Sequence, residues 1–204
     1  MDVFLSLSVE KQTIIIDAAL LSFSTNGYKK TSVSDIATAA GISKAMIFHY
    51  FGTKKALYLY LIDLCDKLVM NEMNQNLDTS VTDFFDRIRI ATDLEISLMK
   101  KHPSILSFLY SMYFESDDQV IMEIKAITAK GEALKRQLAQ DEVDISKFKE
   151  GIDPTLVMKL LTRFAEGYVS QSPSKAGFDL ELLCKEFDEC LNLFKNNFYK
   201  GEYL

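Results

Sequence analysis

The stretch TSVSDIATAAGISKAMIFHYFGTKK at residues 31–55 constrains the fold of this chain more than any other. It holds two short runs with helical apolar spacing and a glycine between them. Val33, Ile36, Ala37 and Ala40 mark the first inner face, and Ile42, Ile47 and Tyr50 mark the second. A small residue at Ala37 lets a second helix cross closely. Gly41 supplies the positive φ that a tight corner demands and that a β-branched residue resists. Ser43 stands where its hydroxyl accepts from the orphan N–H groups of the second helix. Together these features describe a helix-turn-helix. Ser34, Lys44, Ala45, Met46, Phe48 and His49 are left pointing outward, a row suited to the major groove of DNA. By helical phase Tyr50 fits either the core or the edge of that groove.

Two helices around a glycine also occur in proteins that never touch DNA, and charge separates the cases. Residues 28–56 carry five lysines (Lys29, Lys30, Lys44, Lys54 and Lys55) against Asp35 alone, a local +4 in a chain whose formal net charge is −6. A basic patch on an acidic protein is what phosphate contact requires, because each neutralised phosphate releases counterions. Thr31 and Ser32, at the start of the supporting helix, offer hydroxyls and backbone N–H groups to a phosphate. Lys44 is the candidate for a base edge, since lysine donates to guanine O6 and N7, and Ala45 and Met46 offer apolar contact to a thymine methyl. No arginine occurs before Arg87. Direct readout is therefore modest, leaving room for readout through shape or water.

The run from Ile15 to Leu57 resembles the N-terminal domain of the TetR family of bacterial transcriptional regulators. The matching residues are Ile15, Ile16, Ala18, Ala19 and Phe23, then Gly27–Tyr28, Thr31–Ser32–Val33, Asp35–Ile36–Ala37, Ala40–Gly41–Ile42–Ser43, Ile47–Phe48–His49–Tyr50–Phe51, and Lys54, Lys55 and Leu57. The resemblance implies an all-α chain of about nine helices. Residues 1–53 would form a three-helix DNA-binding domain with the helix-turn-helix, and residues 54–204 a helical domain for ligand binding and dimerisation. It further implies that Phe48, His49 and Tyr50 flank the groove and that Lys54 grips a phosphate.

Beyond the head the chain reads as helices throughout, with no convincing period-two strand. Only three prolines and eight glycines leave little room for loops, and 48% hydrophobic with 25% charged residues is ordinary for a globular protein. Ile16, Ala19, Leu20 and Phe23 trace a first helix ended by Gly27. Thr53 caps a long helix to about Met73, and His102-Pro103 closes a helix begun near Phe84. Asp153-Pro154 opens the penultimate helix, with Leu156, Leu160, Phe164 and Tyr168 at steps of four. Ser172–Gly177 reads as a turn and Asp179 as the cap of the last helix. There Leu180, Leu183, Phe187, Leu191, Phe194 and Phe198 form a regular seam. Two outcomes fit it. The seam buries into its own domain, or, as the resemblance implies, it pairs with a twin in a dimer's four-helix bundle through Leu160, Phe187, Leu191 and Phe194.

The expected effector is apolar or amphipathic, since HPSILSFLYSMYF at 102–114 is rich in aromatics and Met99, Met112, Met122 and Met158 add adaptable surface. His102, Phe108, Tyr113, Phe164 and Tyr168 are the candidate ligand contacts, His102 equally fitting a helix-end cap and the rings equally fitting plain core. No cofactor and no metal site is expected. The two histidines cannot furnish a triad or a histidine-rich metal site, and Cys65, Cys184 and Cys190 match no ligand spacing. Hence no enzyme is expected. The opening Met1-Asp2 lacks the basic region of a signal peptide and no window approaches a membrane span, so a reduced, cytoplasmic protein is expected.

The expectation is a ligand-responsive regulator, a repressor that binds a palindromic double-stranded operator as a homodimer. The alternatives are an activator, a ligand-independent regulator, or an interaction protein that kept the fold without reading DNA.

Overall fold

The computed structural model describes residues 2–101, 103–171 and 180–204, without the side chains at 99, 103, 106, 168–171 and 180. Among these residues there are ten α-helices and no strand. They are α1 (Asp2–Leu5), α2 (Val9–Lys30), α3 (Val33–Ala39), α4 (Lys44–Phe51), α5 (Lys54–Asn76), α6 (Phe84–Lys101), α7 (Pro103–Ser111), α8 (Ile121–Gln140), α9 (Pro154–Gln171) and α10 (Leu180–Phe198). The all-α class holds, with one helix more than the sequence pattern announces. His102, the turn at 172–177, the Asp179 cap and the side chains of Tyr168 and Leu180 lie outside the described residues.

The expected stop and start signals operate locally. Gly27 has φ +70° and interrupts α2, after which residues 28–30 make one last turn. Gly41 and Gly52 also take positive φ, at the corner before α4 and at its end. Ser32 accepts from the N–H groups of Ser34 and Asp35, Ser43 from Met46, Thr53 from Ala56 and Asp153 from Thr155. Each hydroxyl or carboxylate satisfies a donor that the first helical turn leaves without a partner.

The chain packs as two compact units. The first comprises Met1–Asn71 and Leu98–Thr128, the second Glu72–Ser97 and Ala129–Leu204, so the division falls within α5, α6 and α8. In the first unit α2 lies along α7, and Phe23, Ile36, Ile47, Leu57, Leu61 and Phe108 are fully buried in one core. The extra helix α1 supplies Phe4. Its ring lies 4.7 Å from Phe51, 5.6 Å from Tyr60 and 5.9 Å from Tyr50, and so wedges against both α4 and α5. Cys65 is buried in the same unit, and burial pushes its thiol up to about 12, which leaves it without a reactive thiolate.

The second unit is closed by an aromatic cluster and a polar clasp. Phe84, Phe85, Phe148 and Tyr199 stack mostly edge to face at 4.9 to 5.9 Å. Beside them Asp83 accepts from Lys147 at 2.8 Å, from Lys195 at 3.4 Å and from the N–H groups of Phe85 and Asp86. Burial alone would raise the Asp83 pKa. The Lys147 hydrogen bond, the backbone donor and the two ammonium charges outweigh it and hold the carboxyl below its ordinary value.

The seam of α10 turns inward. Phe187 and Leu191 are buried within their own unit, Phe187 facing Phe164 of α9 at 6.3 Å, and Phe194 stacks on Phe198 at 5.1 Å. Phe187 and Leu191, expected at a dimer seam, are thus packed inside the protomer. Among the described residues, the large apolar side chains that α9 and α10 leave exposed are Leu156, Leu160, Leu182 and Leu193.

Candidate nucleic-acid interface

Helix α4 is a two-faced element. Ile47 and Tyr50 reach down into the core of the first unit, and Phe51 follows them against Phe4. The other face exposes Lys44, Ala45, Met46, Phe48 and His49, with Ser43 exposed at its start. A helix of eight residues gains little from its own backbone bonds. What fixes it is Ile47 and Tyr50 beneath, the Ser43 cap in front, and α3 packed across Gly41. The outward row is thus presented on a rigid base. Lys44 lies over the Phe48 ring at 5.9 Å, one turn along, so the aromatic face steadies its ammonium at the solvent edge.

The candidate DNA contacts divide by burial. Ser34 is exposed beside the row and Ser32 is half-buried at the α3 cap, with its hydroxyl oxygen already accepting from α3. Thr31 is corrected: it is 3% exposed and its hydroxyl donates to the carbonyls of Ser22 and Gly27. It ties the turn after Gly27 back onto α2 and has no face left for a phosphate. Tyr50 is corrected likewise, being 5% exposed and resolved by the structure as core.

Lys54 departs from its expected part in an informative way. Its ammonium donates to the carbonyls of Tyr28 at 2.8 Å, Thr31 at 3.3 Å and Lys29 at 3.4 Å, and sits 4.4 Å from the centre of the Tyr28 ring. A cation there answers the unsatisfied carbonyls at the end of α2. Lys55 pairs with Glu123 at 2.8 Å. Of the five lysines, Lys29, Lys30 and Lys44 remain exposed without a carboxylate partner among the described residues.

The sequence held no signal for the groups that meet Tyr28 from far along the chain. Glu115 accepts the Tyr28 N–H at 2.6 Å, and the Tyr28 hydroxyl bonds Gln119 at 3.0 Å. These contacts span 87 and 91 positions, a separation that no local pattern records. Phe108 is fully buried against Phe23 and Tyr58 in the first unit, Tyr113 is exposed there, and Phe164 belongs to the second. Among the described residues no helix is long and apolar enough to cross a membrane, and no group of acidic, histidine and cysteine side chains is arranged to hold a metal.

Comparison with known proteins accords with this geometry. Residues 15–61 match the family model for bacterial regulatory proteins of the tetR family. The nucleoid occlusion factor SlmA of Klebsiella pneumoniae is 24% identical over 167 residues, covering 79% of this chain and 81% of that one. A TetR family transcriptional regulator from Chloroflexus aurantiacus shares the fold over 98% of both chains, with a TM-score of 0.74 and 21% identity. AibR, solved in complex with isovaleryl coenzyme A and operator DNA, shares it over 90% of this chain and 97% of its own, with a TM-score of 0.66 and 15% identity. The head of the chain is thus matched in sequence by the tetR family model, and the whole chain shares its fold with solved TetR family regulators.

Proposed function

We propose that the protein is a ligand-responsive transcriptional repressor, a homodimer that binds a roughly palindromic operator through α4 and leaves it when a small apolar or amphipathic molecule binds. Residues 1–53 do the reading, and residues 54–204 sense and dimerise. The observation that carries this reading is the exposed row Ser43, Lys44, Ala45, Met46, Phe48 and His49 on a helix whose opposite face is locked into core. Lys29 and Lys30 stand exposed nearby in sequence, at the end of α2, as the phosphate contacts. One head offers too few base contacts for genomic specificity, so two must act together on half-sites about one helical turn apart. The exposed leucines of α9 and α10 are the surface through which the copies would pair.

The effector part rests on the fold shared with AibR, whose structure holds both isovaleryl coenzyme A and operator DNA. Relief of repression is a population shift, so the effector must favour the DNA-incompetent state. The test is selection of duplexes from a random pool, followed by anisotropy titration at rising salt. The reading expects an enriched palindrome, two chains per duplex and affinity falling with salt. No enrichment, with binding indifferent to salt, would overturn it.

The likeness to SlmA favours a second reading, a ligand-independent factor that binds DNA in service of nucleoid occlusion. Chromatin immunoprecipitation separates the two. A repressor occupies one or a few promoters, whereas the second reading expects many dispersed sites outside promoters.

A further inference from the structure

We propose that Glu115 is a positioning residue for DNA binding. Its carboxylate pins the end of α2, and with it the reading head, to the segment 112–124, giving that segment a hold on the head separate from the covalent join at Thr53. The inference rests on the DNA-binding reading above and adds to it the route by which the pose of the head is set.

Three observations converge. First, Glu115 divides its two oxygens. Oε1 accepts from the N–H groups of Ser116 and Asp117, both at 2.9 Å, which fixes the side chain on its own turn. Oε2 is left to accept the Tyr28 N–H at 2.6 Å. Second, the partner is prepared to receive it. Gly27 takes φ +70°, which turns the Tyr28 N–H out of the helix, and a Cβ built at Gly27 would stand 3.1 Å from that same Oε2. Any larger residue at Gly27 would crowd the carboxylate. Third, Tyr28 is held on every side. Lys54 takes its carbonyl and covers its ring, Gln119 meets its hydroxyl, and Phe23, Tyr58 and Glu115 close the rest.

The segment bearing Glu115 is itself anchored. Met112, Val120 and Ile124 are buried in the core of the first unit, and Glu123 holds Lys55 in the first turn of α5. Lys54 and Lys55 are neighbours, so the Tyr28 junction and the Glu123 pair grip the start of α5 from two directions. Movement of residues 112–124 is therefore transmitted to the C-terminal end of α2 and the N-terminal end of α5 together. Those two ends frame α3 and α4.

The expected effect opposes simple electrostatics. Removing an anion that lies against the basic head should by Coulomb's law tighten DNA binding. The pin predicts the reverse for specific sites. The experiment measures affinity for the selected palindrome and for an unrelated duplex of equal length, well below the melting temperature. Glu115→Ala is expected to lower the palindrome-to-unrelated affinity ratio roughly tenfold, the scale of one charge-assisted hydrogen bond. Glu115→Gln keeps a single acceptor oxygen, which serves Tyr28 only by turning its NH2 toward the Ser116 and Asp117 N–H groups, and should restore only part of the ratio. Glu115→Asp keeps the charge but is one methylene too short to serve the local turn and Tyr28 at once. It should behave like the alanine variant, and it carries the test if that variant does not fold. A purely structural part for Glu115 would lower the melting temperature and leave the ratio unchanged, and that result would overturn the proposal. Ratios that rise in both the alanine and aspartate variants would overturn it as well. Failure to select any palindrome with the unaltered protein would instead sink the DNA-binding reading, and the pin with it.

Discussion

At the scale of single residues, the same chemical type takes opposite parts according to its surroundings. Lys44 and Lys54 are both lysines of the basic patch, yet Lys44 lies along Phe48 at the solvent edge while Lys54 is consumed by three carbonyls. Lys44→Ala is accordingly expected to lower operator affinity by about 1–3 kcal/mol, as for a lost base contact, without shifting the melting temperature. Unchanged affinity in an anisotropy titration would remove it from the reading row. Tyr58 makes the converse point. Its ring packs within 5.2 Å of Phe23, Tyr28 and Phe108, but its buried hydroxyl has no hydrogen-bond partner among the described residues. Burial, with the nearby Glu115 charge, pushes its pKa up, so the group stays a protonated donor. An unsatisfied buried hydroxyl costs about 1–3 kcal/mol. Tyr58→Phe is expected to raise unfolding free energy by about 1 kcal/mol in urea titrations, and a fall would mean that the hydroxyl has a partner in solution.

At the scale of elements, the head was legible because its signals are local. Caps at Ser32, Ser43 and Thr53 and the corner at Gly41 act over three or four residues, so sequence spacing was enough to read them. Helix α1 leaves no mark in the sequence because four residues carry no helical period, and only the burial of Phe4 against Tyr50, Phe51 and Tyr60 gives it a reason to form. The seam of α10 is legible in the sequence but its partner is not, since periodicity gives a face and not what covers it. The glycines offer a paired test. At Gly41 a Cβ meets nothing within 4 Å, so Gly41→Ala should cost only left-handed strain, about 1 kcal/mol. At Gly27 the strain is joined by the carboxylate at 3.1 Å, so Gly27→Ala should cost measurably more. Equal costs by chemical denaturation would show that Glu115 yields without loss.

At the scale of the whole molecule, stability and assembly depend on contacts distant in sequence. Asp83 joins the start of α6 to Lys147 and to Lys195 of α10. Because its folded pKa lies below the ordinary carboxylate value, its contribution is complete above about pH 4. It is lost as the pH falls from there through the depressed folded value. Urea midpoints should therefore drop with acidification in that range. Asp83→Asn should start lower at neutral pH and respond less, and an equal response would clear Asp83 of the acid sensitivity. Assembly is tested at Leu160, which is 46% exposed on α9 where Arg163 is also exposed. Leu160→Arg should place like charges along that face and give monomers by sedimentation, with operator affinity reduced more than tenfold. A stable dimer would move the interface elsewhere.

The sequence by itself determined the helical class, the corner at Gly41, the outward row on α4 and the starts of most helices. Each follows from backbone sterics, capping and periodicity, which act within a turn or two. Only the tertiary structure decided that Thr31, Tyr50 and Leu191 face inward, that Lys54 serves α2, and that Glu115 reaches Tyr28 across 87 positions. Burial and partner choice depend on which surfaces meet, and those surfaces are assembled from segments that carry no mark of one another along the chain.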